Sequence, residues 1–437
     1  MRLFLFIFNP FSPLSAQKNF LINIVLLIFV NVLVKPLYAL KIDINIQLAL
    51  GNARFGQVFA LWSLAFLSLT VADLGIHQHN SSTVSKNNDY FYQQAANILK
   101  LKAILSFLYA IVVLSLGWLL RYEGAQLHLL FWLAFNLVCG SFIQWGRGNI
   151  AGLGYYKTDS FLSAFDKTLM IFTGWALLKG FCGLEISEFT FIWSQTVAFV
   201  ITLFAVSGIN LYLYFQRKDI STAKFEPFKM IKTCLPYALV VLLMGSYERM
   251  DTILLERWAD DKAEAGYYSF AFRLLDLVNM VGVLFGGLLL NMFSRHLKDS
   301  KALRKLFWLA FVLLLLCYLG GLGFVLLFDN WLSHFLLGFY DSKSIYILTL
   351  LLISLVFKGI IHVAGTLLTA AGDLKRMNQL FAVAIGLNFS LNYFSIPALG
   401  AEGTAIVSII THAGVAIVEM CWAWQWLSGR KGEEAIA

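Results

Sequence analysis

The sequence predicts an all-α, polytopic integral membrane protein with about twelve transmembrane helices in two pseudo-symmetric six-helix lobes. Three observations predict it. The 437 residues are 59% hydrophobic and 13% charged, with a mean hydropathy of +0.74, which excludes an ordinary soluble domain. The apolar residues form continuous runs of roughly 20, the helical length that crosses a hydrocarbon core, and they lack the alternation of barrel strands. Lys and Arg gather in alternate connections, as the positive-inside rule requires.

Residues 1–19 read as an amino-terminal extension whose apolar stretch, broken by Asn9 and Pro10, is too short for a signal peptide. The spans then follow near 20–39, 56–76, 99–120, 125–145, 160–180 and 189–215, forming a first lobe over 20–215. The segment 216–233, with Arg217, Lys218, Lys224, Lys229 and Lys232, is a basic cytoplasmic linker. A second lobe, 234–427, holds spans near 234–256, 265–292, 303–328, 345–369, 377–396 and 403–427, and 428–437 is a cytoplasmic tail. With the amino terminus inside, the basic residues of the inner connections, among them Lys86, Lys100, Lys102, Arg147, Lys157 and the linker cluster, outnumber those outside. Lys41, Arg54, Arg121, Lys179, Arg257, Lys262 and Lys343 make up the outer set. Both termini are therefore expected in the cytoplasm.

The halves repeat weakly. Gly56 and Gly266 each open an aromatic-rich helix, and Gly154 with Lys157 aligns with Gly372 and Lys375 at a similar offset. Even numbers of spans per half make this a parallel repeat, and transporters built so bind substrate at the repeat interface. Cys139, Cys182, Cys234, Cys317 and Cys421 are odd in number and scattered, and His77 and His79 stand without other ligands nearby, so neither a metal nor a disulfide framework is expected.

The chemistry lies in charges inside the spans. Lys35, Lys167, Arg249, Arg273 and Lys358 each need a partner, a route to the interface or a wet cavity. Lys358, His362, Thr366 and Thr369 make one polar stripe on the tenth span. Asn31 and Lys35 are four apart before Pro36, and Lys35 either snorkels or faces a cavity. Arg273 and Asp276, three apart, are expected to neutralise each other. Arg249 is flanked by Glu248 and Asp251, which point to other faces, so its partner must come from another helix. Lys167, beside Asp166, is expected to snorkel or pair. Asp73 is expected to serve a helix-terminal turn, while Glu248, Asp251, Asp276 and Asp73 are the candidates for ion coupling, with Glu419 a further one. Asn388 and Asn392, four apart, either bind sugar hydroxyls or hydrogen-bond a neighbouring helix, and the second is the expectation.

LALGNARFGQVFALWSLAFLSLTVADLGIHQ, from Leu48, with Gly51, Phe55-Gly56 and Asp73-Leu74-Gly75, resembles the first-loop and second-helix signature of polysaccharide repeat-unit flippases of the O-antigen type. These belong to the multidrug/oligosaccharidyl-lipid/polysaccharide exporter superfamily. YERMDTILLERWADDKAEAGYYSFAFRLLD, GTLLTAAGDLKRMN and LNFSLNYFSIPALGAEGTAIVS resemble later elements of the same family, and the lone Pro397 departs from its glycine-rich loop. The resemblance implies alternating access and translocation of an undecaprenyl-pyrophosphate-linked oligosaccharide across a bacterial inner membrane. Membrane lipids, polysaccharide polymerase machinery and H+ or Na+ are its implied partners. A cationic cavity of Arg249, Lys358, Lys35, Arg273 and His362 is then expected to meet the pyrophosphate.

Two other readings stand beside it: a cation-coupled multidrug exporter of the same superfamily, and a membrane-integral glycosyltransferase or polymerase. No Asp-x-Asp motif, phosphate loop or large external domain supports an enzyme. No cofactor and no nucleic-acid partner are expected.

Overall fold

The computed structural model describes residues 33–217, 225–297 and 299–434. The amino-terminal extension, the first span as far as Val32 and so including Asn31, Lys218 and Lys224 of the linker, Lys298 and the end of the tail lie outside the described residues. Among those described there is no strand, and nine helices are long and apolar enough to cross a membrane.

The difference from twelve has physical causes. Leu374–Glu434 is one helix by hydrogen bonding but two spans by geometry, broken at Gly400, whose φ of 54° and ψ of −130° leave the helical region just after Pro397. Pro227–Trp258, 32 residues long, is the seventh span, with Glu248, Arg249 and Asp251 gathered toward its carboxyl-terminal end. The first span begins outside the described residues and continues through a π-turn, Ala39–Asp43, into Ile44–Leu50.

The connection expected as a loop between the second and third spans is helical. Residues 76–86 form a helix entered through Leu74 and Gly75, both left-handed, at φ 46° and 76°. The third span starts at Asp89 and runs to Leu119, so Lys100 and Lys102, counted with the inner connection at the edge of the expected span, stand well inside the helix. Helical hydrogen bonding continues past the apolar run that marks the membrane, and hydropathy alone does not register the extension. Side-chain caps fix other starts: Ser187 and Thr190 form a reciprocal capping box on the sixth span, and Asp341 accepts the Ser344 amide at the start of the tenth.

The chain divides into two compact units. One holds the described residues of Met1–Leu50 and Leu64–Ala238, the other those of Gly51–Ser63 and Leu239–Ala437. Two helices are shared: the second span begins in the second unit and ends in the first, and the seventh does the reverse.

Inside the second unit the second and eighth spans touch at the two glycines that the repeat aligns. A Cβ on Gly56 would lie 2.5 Å from the Gly266 amide nitrogen, and one on Gly266 would strike the Asn52 carbonyl. Only glycine permits backbones to approach so closely, the same use of small residues that membrane helix pairs make elsewhere.

Candidate functional site

The seventh span organises the second unit's polar interior. Successive side chains on a helix are about 100° apart, so Glu248, Arg249 and Asp251 leave it in three directions and meet three different sets of partners.

Arg249 reaches the eighth span. Its Nη2 lies 3.0 Å from Asp276 Oδ2, and its guanidinium sits 4.7 Å from the Phe272 ring centroid and 5.0 Å from that of Trp62 on the second span. Phe59 joins these rings, stacking on Trp62 at 5.7 Å and approaching Phe272 at 6.1 Å. The flat, weakly hydrated guanidinium suits such a place better than an ammonium, since it can lie against a ring and still keep donors in its plane. The partner does come from another helix, and it is Asp276. The expected neutralisation of Arg273 by Asp276 is therefore corrected: Arg273 instead donates from Nε to the Ser269 carbonyl at 3.2 Å, and its guanidinium covers Phe55 at 4.3 Å.

Asp251, 2% exposed, is held by neutral donors. Its Oδ2 accepts from Ser408 Oγ at 2.6 Å and Tyr268 Oη at 3.2 Å, and its Oδ1 accepts from Asn392 Nδ2 at 2.8 Å. Asn392 also donates to Asn388 Oδ1 at 3.1 Å. The eleventh-span asparagines thus do bind a neighbouring helix, and the atom they bind is an ion-coupling candidate. A carboxylate ringed by hydroxyls and amides can exchange its donors for a cation, because each of these groups also carries an oxygen acceptor.

Glu248 turns to the tenth span, where Lys358 Nζ lies 3.0 Å from its Oε1. Lys358 is 3% exposed, so snorkelling does not account for it. Four residues on, His362 Nε2 meets Asn279 Oδ1 of the eighth span at 2.9 Å. The remainder of the expected stripe turns back: Thr366 and Thr369 donate to the carbonyls of His362 and Gly365, four residues earlier. The stripe therefore ends at His362.

The site candidates fall in both units. Arg249, Lys358, Arg273, His362, Glu248, Asp251 and Asp276 lie in the second; Lys35 and Asp73 lie in the first. Lys35 is half-buried within electrostatic reach of Asp166, Lys167 and Arg147. Lys167 lies 4.9 Å from the Tyr38 ring and 5.7 Å from that of Phe199. Asp73 has both a turn role and a charge role: Oδ2 accepts the His77 amide at 3.3 Å, and Oδ1 pairs with Lys102 Nζ at 2.5 Å.

Lys102 is the functional-looking residue that the sequence hid. It is fully buried and also donates to Ser141 Oγ at 2.9 Å. The only signal was its position, seven residues after Ala95 and four after Ile98 on what proves to be the inward face of the third span. Next to the Asp73 carboxylate, burial pushes the imidazole of His77, which lies outside the spans, below its usual range, and the neighbouring Asp73 charge only partly offsets this. Glu264 was likewise passed over; it accepts the Ala401 amide at 2.9 Å beside the Gly400 break and pairs with Lys343.

Solved structures share this architecture. An inward-facing multidrug resistance MATE family transporter of the MOP superfamily aligns with a TM-score of 0.73 at 17% identity, over 91% of this chain and 96% of its own. An outward-facing structure of such a transporter gives 0.64 at 16% identity, over 94% and 96%. A MOP superfamily transporter from Pyrococcus furiosus, described as having a binding pocket of reverse polarity that suggests a different function, gives 0.62 at 15%, over 94% and 95%. No family model and no curated protein matches the sequence. The chain has the fold of these transporters, twelve helices in two lobes, and is a multi-pass membrane protein.

Proposed function

We propose that the protein is a flippase that carries undecaprenyl-pyrophosphate-linked oligosaccharide repeat units across a bacterial inner membrane by alternating access, for surface polysaccharide such as O-antigen, with both termini cytoplasmic. The observation that carries this reading is the seat of Arg249. A guanidinium between an indole and a phenyl ring offers charge-assisted donors to a phosphate and flat apolar surfaces to a sugar in one place. Asp276 already occupies the guanidinium, and its side chain is 36% exposed. An incoming pyrophosphate would replace one anion by another, which keeps binding reversible, as a carrier needs. Lys358 and Arg273 would add positive potential, with His362 as a polar neighbour. Lys35 in the first unit is a separate cationic candidate.

The driving force in this reading is H+ or Na+ exchange at Asp251, whose neutral cage can give up a proton or cation without breaking an ion pair. Polysaccharide polymerase machinery would receive the product. Bond-making groups are not required, since the lipid tail stays in the bilayer while only the headgroup crosses.

A second reading, cation-coupled multidrug export, draws on the description of the solved relatives in fold and on the exposure of Asp276, which a cationic amphiphile could reach. Deleting the gene separates the two. The flippase reading expects undecaprenyl-linked repeat units to accumulate on the cytoplasmic face and surface polysaccharide to be lost; unchanged polysaccharide with raised dye sensitivity would overturn it in favour of the exporter.

A further inference from the structure

The second unit contains a further buried acid that takes no part in the contacts described above. Glu419 of the last span is fully buried, and neither carboxyl oxygen has a hydrogen-bond partner among the described residues. It packs against the tenth span at Gly365, where a Cβ would lie 2.9 Å from Glu419 Oε2. The surroundings are apolar: Val415 and Ala416 on its own helix, Ile361 and Leu368 flanking Gly365, and Phe381 of the eleventh span belong to one buried cluster with Tyr247.

Glu419 nevertheless continues a polar line. On the last span Thr404, Ser408, His412 and Glu419 are spaced four, four and seven apart, which keeps them on one face, and all four are buried. Ser408 is bonded to Asp251. His412 is hydrogen-bonded to no other side chain, and its ring stands edge-on to Tyr247 at 5.4 Å. Tyr247 in turn lies within electrostatic reach of both Glu248 and Glu419, and its buried hydroxyl makes no hydrogen bond. Lys358 and His362 on the tenth span are the other ionisable groups facing His412. The line therefore begins at the Asp251 cage and ends at an acid that has been given neither a base nor a donor.

An ionised carboxylate in such surroundings has nothing to offset its lost hydration, whereas the neutral acid needs only one acceptor. Gaining a proton forms one O–H bond at a carboxyl oxygen and removes the charge; losing it to water restores the charge and requires the packing around Gly365 to open. We propose that Glu419 is a proton-carrying site of the second unit, separate from Asp251, whose protonation is tied to opening and closing of the contact between the last and tenth spans at Gly365. This rests on the transport reading for its purpose, but not for its test.

The test uses purified full-length protein in lipid, with the proton as the only ligand. Infrared difference spectra across a pH jump should show the carbonyl stretch of a protonated carboxylic acid. The band should be lost in Glu419→Gln and retained in Asp251→Asn. Gly365→Ala, which keeps the acid but presses a methyl against Oε2, should shift the band, and this variant serves if Glu419→Gln fails to accumulate. In proteoliposomes, transport by the native protein should change by about tenfold per pH unit on the limb where the site titrates, and Glu419→Gln should flatten that limb. A band that survives Glu419→Gln, or is unmoved by Gly365→Ala, overturns the proposal whatever the transported substrate proves to be. A lost band with no transport of lipid-linked oligosaccharide would instead retain the proton site and remove the flippase reading.

Discussion

Replacing Lys358 by Met keeps most of the side-chain volume and removes only the charge, which strands Glu248. At 3.0 Å, with an effective dielectric of about 20, the attraction lost is about 5.5 kcal/mol. Glu248 is 16% exposed, so water recovers some of this, and buried pairs broken on one side generally lose about 3–5 kcal/mol. The lower end, about 3 kcal/mol, is the expectation for Lys358→Met. Adding Glu248→Gln removes the second charge together with its desolvation cost, and the double variant should return to within about 1 kcal/mol of the native protein. Unfolding in detergent measures both, and export in a deletion strain is scored on the same variants. Restored stability with export still absent is the expected pattern, because the double variant keeps the packing and loses the cation. Equal stability of single and double variants would refute the electrostatic account of the pair. Native export by the double variant would make Lys358 structural and remove it from the substrate path.

Other changes probe the remaining contacts. Arg249→Lys keeps the charge but not the planar group against Trp62 and Phe272, a contribution of about 0.5–2 kcal/mol, so transport should fall while membrane abundance holds; unchanged transport would show that a point charge suffices. Asp251→Asn should leave fold and substrate binding intact and abolish the dependence of transport on the coupling ion, read as accumulation with and without an ion gradient. Gly56→Ala should lose about 1–3 kcal/mol in thermal unfolding because its methyl would meet the Ala265–Gly266 backbone, whereas Gly245→Ala, with nothing within 4 Å, should be neutral or stabilising. Lys102→Met should reduce membrane abundance, and Asp73→Asn in the same chain should recover it, if the pair in the first unit matters to the fold rather than to transport.

The architecture was legible because a membrane imposes length: an apolar run of about 20 residues can be read without knowing its neighbours. Polar residues inside the runs were equally visible, but their destinations were not. Arg273 and Asp276 are three apart and should meet by helical geometry, yet Asp276 turns to Arg249, whose guanidinium approaches from another helix at 3.0 Å. Asn388 and Asn392 announced a polar face; that Asp251 lay across from it depends on how the seventh and eleventh spans pack. Lys102 was misplaced for a different reason. A helix that begins ten residues before its apolar run leaves no mark in hydropathy, so a buried base was counted with the loop.

The second unit sorts four intramembrane acids by what each is given. Glu248 and Asp276 each face a base about 3 Å away, and an acid held by a fixed cation is poorly suited to trading a proton or an ion, because every exchange would first break the pair. Asp251 has hydroxyls and an amide, which stabilise its charge but can also turn an oxygen toward a cation. Glu419 has neither, so its charge is tolerable only when water reaches it. On the proposed function, this would keep substrate and driving ion apart on the same few helices: the paired acids would tune how strongly the bases attract an anion, and Asp251 and Glu419 would be left to change state. A carrier whose bases were free would bind its anion too tightly to release it. One whose acids were all paired would have nothing to couple.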